Sequence, residues 1–188
     1  MHGDCTACPT IQDVPLIARR AKSTREETRR ILGLGPEVRT YLISLVALGL
    51  NEEAEKQLRN ISDIVFLYKR PLKLNFGICL DDFPVSYADV VAAVDGVVTK
   101  PGYGIVSECL VNNTPIIYTD RGHFPEYDVL VRQMSKRLPT SYISPSDLYA
   151  GSWESAIKDL ENQPPRISTM PSNGAEVCAR TILGLLTS

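Results

Sequence analysis

The sequence lacks a long apolar run and an excess of either charge. Its most apolar stretch, YLISLVALGL at residues 41–50, is about half of the ~20 residues that a membrane-spanning helix needs, and no charged-then-apolar leader is recognisable. The 20 basic and 22 acidic residues give a net charge of −2, which disfavours a nucleic-acid or anionic-membrane surface. We therefore predict a cytoplasmic protein with a small ligand, no membrane span and no nucleic-acid partner.

Cysteine and histidine are too few, or too poorly spaced, for the usual covalent and metal frameworks. The five cysteines are odd in number and widely spread, so we expect reduced thiols and no disulfide framework. Cys5 and Cys8 form a C-x-x-C pair, but no second pair of ligands stands at zinc spacing. Pro9 also follows where a redox motif would open a helix. We expect no metal and no bound cofactor.

From residue 23 onward, helical and strand-forming segments alternate. Ser23 and Glu26 have capping-box spacing and predict a helix that ends at Gly33 or Gly35. The apolar stretch TYLISLVA at residues 40–47 predicts a strand with both faces covered. The later predicted elements are a helix at 51–60 capped by Asn51, strands at 63–68, 96–99, 115–118 and 141–143, and helices at 86–95, 105–112, 127–136, 153–160 and from 174 onward.

This order predicts a Rossmann-like α/β fold, a doubly wound parallel sheet with helices on both faces, because parallel neighbours are connected through helices. We expect one domain over residues 23–188, preceded by residues 1–22 as a linker segment. Sheets of this kind bind ligands beyond the carboxyl ends of their strands, where loops lead into helix N-termini. The segment TKPGYGIVSE, residues 99–108, lies at such a point.

The glycines of this segment suggest a phosphate site. Gly102 and Gly104 would allow positive φ angles and a close approach of the backbone to a ligand. The helix predicted from Ile105 would then present N–H groups, near Ile105 and Ser107, to an anion. Lys100, just before the turn, could neutralise a diphosphate, or could be an ordinary exposed lysine.

Glu108 lies one helical turn after Gly104 and suggests a sugar next to the phosphate. A carboxylate would repel a phosphate placed directly against it, but it accepts hydrogen bonds well from the adjacent hydroxyls of a pentose. Phosphate and ribose together indicate a nucleotide. The alternative from the residues alone is a simple turn at Gly102 and Gly104, with Glu108 favouring the helix dipole.

The stretch DVVAAVDGVVTKPGYGIVSECLVNNTPIIYTDRGHFPEYDVLV, residues 89–131, resembles the donor-binding, carboxyl-terminal half of GT-B glycosyltransferases. Within that group the chain is most similar to glycosyltransferase-like proteins related to the N-terminal region of plant L-arabinokinase, which share KPGYGIVSE and a following FPEY. This similarity covers nearly the whole chain. It implies the carboxyl-terminal half of a GT-B fold and a nucleotide-sugar donor, with UDP-sugar as the expected form.

The resemblance also implies roles for individual residues. Glu108 would hold the ribose of the nucleotide sugar, and no metal would take part. The other implied binding residues are those near the diphosphate, Gly102, Gly104, Ile105 and Ser107, and the weaker candidates of the following loop, Arg121, His123, Phe124 and Glu126. No catalytic residue is assigned.

Two departures from the family pattern leave the activity open. The stretch SLVALGL places Val46 and Ala47 where relatives carry glycines, and their β-carbons would obstruct a ligand. The resemblance also covers only the carboxyl-terminal half of a GT-B fold, so we expect the amino-terminal domain, which in that family supplies the acceptor site, to lie outside this sequence. We therefore expect sugar transfer only in a full-length two-domain context or with an equivalent partner, and the alternative is a non-catalytic or degenerate nucleotide-binding module.

The last predicted helix, AEVCARTILGLL, has an apolar face for which the sequence offers no cover. In GT-B folds the final helix often crosses to the other domain. Without that domain, its apolar face predicts a possible homo-dimer surface.

Overall fold

Six parallel strands form the centre of the structure, a computed structural model that describes residues 11–186. The strands are β1 Arg39–Ser44, β2 Ile64–Tyr68, β3 Ile78–Cys79, β4 Gly96–Thr99, β5 Ile116–Tyr118 and β6 Thr140–Tyr142. They lie in the order β3-β2-β1-β4-β5-β6, and each neighbouring pair is parallel. The order reverses between β1 and β4, as in a doubly wound sheet. The predicted fold class is confirmed.

Eight α-helices within residues 11–186 cover the sheet and bury apolar residues on both of its faces. They are α1 Arg25–Ile31, α2 Glu52–Arg59, α3 Tyr87–Ala93, α4 Tyr103–Asn112, α5 Tyr127–Ser135, α6 Pro145–Ala150, α7 Glu154–Glu161 and α8 Gly174–Leu186. Four of them, α2 to α5, connect successive strands. Leu42 and Val97 belong to the apolar cluster on one face, whereas their chain neighbours Ile43 and Val98 belong to the cluster on the other. This alternation explains why the central residues of β1 and β4 are apolar without a polar alternation.

The capping box of α1 lies one residue further along the chain than predicted. The Thr24 hydroxyl accepts a hydrogen bond from the Glu27 N–H at 3.2 Å, and the Glu27 carboxylate accepts one from the Thr24 N–H at 2.9 Å. The Ser23 N–H instead donates to the Asp89 carboxylate at 2.9 Å, which fixes the chain just before the helix. The predicted pairing of Ser23 with Glu26 is therefore wrong.

Several element boundaries also differ from the sequence-based expectation. β1 ends at Ser44, three residues before its predicted end at Ala47, and Val46 is already 81% exposed. α4 begins at Tyr103, two residues before the predicted start at Ile105. The two-residue β3 and the six-residue α6 are not predicted, because such short elements carry no readable hydrophobic period.

The described part of the predicted linker packs against the domain. Leu16 is buried, its N–H donates to the Pro171 carbonyl oxygen at 2.9 Å, and its own carbonyl accepts from the Gly174 N–H at 3.1 Å. Ile17 pairs with Asn173 in an isolated antiparallel bridge. This segment therefore enters the domain beside the start of α8.

The end of α8 presents apolar side chains at the surface. Ile182 is 58% exposed and Leu186 is 77% exposed. A homo-dimer through this surface stays a prediction. Across residues 11–186, no helix combines the length and the apolar composition needed to span a lipid bilayer.

Candidate functional site

The candidate site lies at the carboxyl edge of the sheet, where the strand order reverses between β1 and β4. Thr99, the last residue of β4, pairs with Ser44, the last residue of β1, and its hydroxyl donates to the Ser44 carbonyl oxygen at 2.9 Å. Only Lys100, Pro101 and Gly102 separate β4 from α4. The start of α4 is thus placed where open α/β sheets bind their ligands.

The first turn of α4 has no side-chain cap. Its N-cap residue is Gly102, and its first turn contains no acidic residue, whereas each of the other seven helices within residues 11–186 has an Asp or Glu there. Helix geometry leaves the N–H groups of Tyr103, Gly104 and Ile105 without an intrahelical acceptor. The Val106 N–H donates to the Gly102 carbonyl oxygen at 3.0 Å. This turn therefore offers donors and a positive dipole end to an anion.

The free N–H groups of α4 lie closer to the start of the chain segment than predicted, at Tyr103 to Ile105 and not at Ile105 to Ser107. Because α4 begins at Tyr103, the Ser107 N–H lies inside the helix and not at its start. The Ser107 side chain is fully buried, with its hydroxyl 2.6 Å from the Tyr103 carbonyl oxygen and 3.0 Å from that of Gly104. Its hydroxyl is therefore bonded to the helix's own backbone.

The two glycines differ from the expectation, because neither has a positive φ angle. Gly102 is extended, with φ −145°, and a Cβ there would lie 2.2 Å from a guanidinium nitrogen of Arg121. At Gly104, by contrast, a Cβ would meet no atom within 4 Å. Gly102 therefore makes room for Arg121, and Gly104 keeps the front of the helix start free of a side chain.

The loop after β5 brings Arg121 to this turn. One guanidinium nitrogen of Arg121 donates to the Pro101 carbonyl oxygen at 2.7 Å, and the group lies 3.9 Å from the centroid of the Phe124 ring. His123 is exposed and lines a shallow pocket of about 380 Å³, and Glu126 is exposed at the N-cap of α5. Of the predicted residues of this loop, Arg121 thus contacts the α4 loop directly.

Asp120, which sequence reasoning missed, organises the same loop. Its carboxylate accepts hydrogen bonds from the hydroxyls of Tyr142 at 2.8 Å and of Tyr127 at 3.3 Å. The hydrogen bond to Asp120 raises the pKa of the Tyr142 hydroxyl, with burial adding to it. No local pattern indicates this cluster, because its members come from a loop, a helix and the edge strand.

Glu108 lies on α4 and is bound to an arginine that sequence reasoning also missed. The Arg19 Nε donates to Glu108 Oε1 at 2.6 Å, and the side chains are 70% and 9% exposed, respectively. The carboxylate is thus covered from the side of the N-terminal segment. Arg19 precedes Glu108 by 89 positions, so no spacing rule connects the two.

The residues around Arg19 run along α4, and we name residues 16–22 the α4 strap. The Ile17 N–H donates to the Tyr103 hydroxyl at 3.2 Å. The Ala21 N–H donates to Asn112 Oδ1 at 2.9 Å, and Asn112 Nδ2 donates to the Arg19 carbonyl oxygen at 3.0 Å. The strap therefore lies against both ends of the helix.

The remaining predictions concern a metal and the turn after β1. Residues 11–186 contain no group of three or more His, Cys, Asp or Glu side chains that could hold a metal ion, and Cys5 and Cys8 lie outside these residues. Cys109, next to Glu108, is fully buried, and burial raises the pKa of its thiol, which keeps it protonated. Val46 and Ala47 are exposed in the loop that leaves β1.

Comparisons with known proteins agree with this architecture. No protein-family model matches the sequence. The L-arabinokinase of Arabidopsis thaliana is 27% identical over 175 residues, which are 90% of this chain and 16% of the relative. The solved glycotransferase of kitacinnamycin has a TM-score of 0.53 at 16% identity, covering 80% of this chain and 40% of that structure. The glycosyltransferase VinC, solved with dTDP, has a TM-score of 0.52 at 14% identity, covering 71% and 36%.

This chain spans less than half the length of each of these three proteins. The identities to the solved structures are low, so the likeness to them establishes the fold alone. At the level of the fold, the resemblance to GT-B glycosyltransferases found in the sequence is confirmed. The chain has the α/β fold of the GT-B glycosyltransferases, consistent with their carboxyl-terminal domain.

Proposed function

We propose that this chain binds a nucleotide sugar, with a UDP-sugar as the donor, at the start of α4. The observation that carries the proposal is the uncapped, acid-free first turn of α4 at the point where the strand order reverses. Support comes from the GT-B fold and from VinC, a neighbour solved with a nucleoside diphosphate.

In this proposal the diphosphate lies in front of the N–H groups of Tyr103, Gly104 and Ile105. Helix N-termini bind phosphate well because the free N–H groups and the helix dipole both favour negative charge. Arg121, held against the Pro101 carbonyl, and Lys100, the first residue after β4, add positive charge beside them. Guanidinium groups suit phosphate because they offer two parallel N–H donors.

Glu108 accepts hydrogen bonds from the ribose hydroxyls in the same proposal. It lies one helical turn beyond Gly104, so its carboxylate is separated from the phosphates but close enough for the adjoining pentose. A carboxylate has two acceptor oxygens, which suit two adjacent hydroxyls. His123, exposed in the loop after β5, remains a candidate for contact with the sugar.

Transfer of the sugar would need more than this chain. In the full protein, the bond between the sugar and the diphosphate would break as an acceptor oxygen attacks, and UDP would leave. The α4 donors and Arg121 would stabilise the negative charge that develops on the leaving diphosphate, without a metal ion. The acceptor site and the base would come from a second domain or from a partner.

A second candidate is a binding module without turnover. The specific observation that favours it is the loop after β1, where Val46 and Ala47 occupy positions at which glycines would let the backbone approach the donor. This chain also covers less than half of the glycosyltransferase structures that share its fold. Both candidates use the same nucleotide site, and they differ in catalysis.

Calorimetric titration with UDP tests the shared site. We expect binding, and we expect Glu108→Gln to weaken it by about tenfold, since a hydrogen bond to a charged group contributes about 1.5 kcal/mol. A Glu161→Gln variant is the matched control. Glu161 ends α7 and accepts hydrogen bonds from Arg39 and Tyr41 in the first half of β1, at the opposite edge of the sheet from the start of α4. Equal affinity of the wild type and Glu108→Gln would contradict the assignment of the ribose to Glu108.

A turnover assay then separates the two candidates. Nucleotide-sugar hydrolysis or transfer by the full-length protein, with release of UDP, would support the glycosyltransferase. UDP binding without turnover in the full-length protein would support the module. Absence of binding to UDP, in a protein shown to be folded, would overturn both.

A further inference from the structure

Glu108, the residue proposed to hold the ribose, already has a hydrogen-bond partner within the chain. The Arg19 Nε donates to its Oε1 at 2.6 Å, and only 9% of the Glu108 side chain is exposed. A carboxylate that accepts from two adjacent hydroxyls needs both oxygens. Arg19 therefore occupies one of the two oxygens that the ribose hydroxyls would use, and it covers the carboxylate.

The backbone of the α4 strap is fixed on both sides of Arg19 by bonds that do not involve Glu108. On one side, the Ile17 N–H donates to the Tyr103 hydroxyl at 3.2 Å. On the other side, the Lys22 N–H donates to the Asp89 carboxylate at 2.6 Å. The Arg19 side chain can consequently leave Glu108 while the strap stays in place.

The pair between Arg19 and Glu108 is also of a kind that a ligand can displace. Arg19 is 70% exposed and contacts the carboxylate through Nε, not through the two-pronged geometry that makes arginine–carboxylate pairs strong. Because Arg19 is exposed, water solvates its guanidinium once the pair separates, and the ribose hydroxyls then donate to the buried carboxylate in its place. The bond therefore covers Glu108 without closing the site permanently.

We propose that Arg19 is a side-chain latch on the nucleotide site, which rests on the proposed function. Arg19 occupies Glu108 until the two neighbouring hydroxyls of a ribose replace its single N–H donor. The latch thus lowers the affinity for ligands that bear a vicinal diol next to a diphosphate. Ligands that engage only the start of α4 do not have to open it.

The test measures the affinities of wild type and Arg19→Ala for three probes by calorimetry. The probes are UDP, its 2′,3′-dideoxy analogue and inorganic pyrophosphate. We expect the ratio of UDP affinity to pyrophosphate affinity to be about two- to fivefold higher in Arg19→Ala than in the wild type, because a single bond to an exposed guanidinium no longer has to break. The dideoxy analogue should show no such gain. Dividing by the pyrophosphate affinity removes any general effect of losing a positive charge.

Arg20→Ala is the matched control. Arg20 is the next residue of the strap and carries the same charge, but it donates to the Val111 carbonyl oxygen at 2.9 Å and to the Ser172 hydroxyl at 3.1 Å. It should show no diol-dependent gain. Arg19→Gln, which also removes the guanidinium, serves as a second variant. The gain in UDP affinity relative to pyrophosphate should disappear when Arg19→Ala is combined with Glu108→Gln.

The outcomes separate this inference from the proposed function. If the wild type binds UDP through Glu108 but Arg19→Ala shows no gain, or weakens UDP more than pyrophosphate, the latch is wrong and the nucleotide site stands. A gain of equal size for the dideoxy analogue would also overturn the latch. If neither folded protein binds UDP, the proposed function is wrong and the latch fails with it.

Discussion

The polar groups at the two edges of the sheet differ in their hydrogen-bond partners. At the amino edge, the buried guanidinium of Arg29 donates to the Gly35 carbonyl oxygen at 2.8 Å, to that of Ala93 at 3.1 Å, and to the Thr40 hydroxyl at 3.0 Å. Those donors are satisfied by the chain itself. At the carboxyl edge, the first turn of α4 lacks a capping side chain. Polar groups thus serve folding at one edge and are available to a ligand at the other.

Within the carboxyl edge, the starts of α2 and α4 differ in the same way. Both helices follow central strands of the sheet. α2 is capped by Asn51, whose Oδ1 accepts from the Ala54 N–H at 2.9 Å, and its first turn carries three acidic residues. α4 has Gly102 as its N-cap and no acid in its first turn. α2 is therefore closed to anions, and α4 is open to them.

The largest expected effect is on stability, at the amino edge. Arg29→Met should lower the free energy of unfolding by about 3 kcal/mol, because it leaves buried acceptors around the side chain without their donor. Urea denaturation measures the loss. The same variant should bind UDP as the wild type does wherever it is folded. Arg30→Met, at an exposed neighbouring position of α1, is the control and should unfold like the wild type.

The next largest effect is on binding. It is expected from a substitution that gives the first turn of α4 an acidic residue, as the first turn of α2 has. Gly104→Glu should weaken UDP binding by at least about 30-fold, or about 2 kcal/mol, since the new carboxylate would face the diphosphate. Stability should stay unchanged or rise slightly, because acids in a first turn favour the helix. Calorimetry and urea denaturation of the same samples give both values.

Gly104→Ala distinguishes the effect of the added negative charge in Gly104→Glu from the effect of the added side-chain volume. A Cβ at Gly104 meets no atom of the chain within 4 Å, so any loss of affinity in this variant reports the space that the ligand needs. We expect a smaller loss than with glutamate. If Gly104→Glu binds UDP like the wild type, the diphosphate does not lie at the start of α4.

The architecture could be predicted because its signals are local. The apolar runs of β1 and β4 and the cap at Asn51 each occupy a few consecutive residues, and the order of such segments fixes the sheet type. Strand-end topology then placed the glycine-rich turn at the carboxyl edge. The helix start itself was misplaced by two residues, because Tyr103 and Gly104 resembled a loop in sequence.

The details of the site could not be predicted because they depend on distant partners. Glycine at position 102 suggested a positive φ, whereas the structure shows an extended residue that makes room for Arg121, whose bond to Pro101 spans 20 positions. The cover on Glu108 comes from Arg19, 89 positions earlier. Neither contact follows a helical or strand period, so a single sequence contains no signal for it.

A smaller effect should follow from removal of the α2 cap. Asn51→Ala should lower the free energy of unfolding by about 1 kcal/mol, because the Ala54 N–H loses its acceptor. Urea denaturation measures this change, and Asn51→Asp, which keeps an acceptor oxygen, should retain most of the stability. UDP affinity should not change in either variant. A loss of affinity in Asn51→Ala would mean that α2 also contributes to the site.

The last effect depends on pH and concerns Asp89, a carboxyl-edge residue on α3 whose carboxylate bonds to the chain itself. Burial alone would raise its pKa, but the N–H donors of Ser23 and Lys22 and the Ser86 hydroxyl outweigh it, so the pKa is lowered. A lowered pKa stabilises the fold above the unfolded value of about 4, and this contribution is lost as the pH falls through the folded pKa. Asp89→Asn should therefore be less stable than the wild type at pH 7, with the difference shrinking towards pH 3. An equal difference at both pH values in urea denaturation would show that the charge of Asp89 does not stabilise the strap.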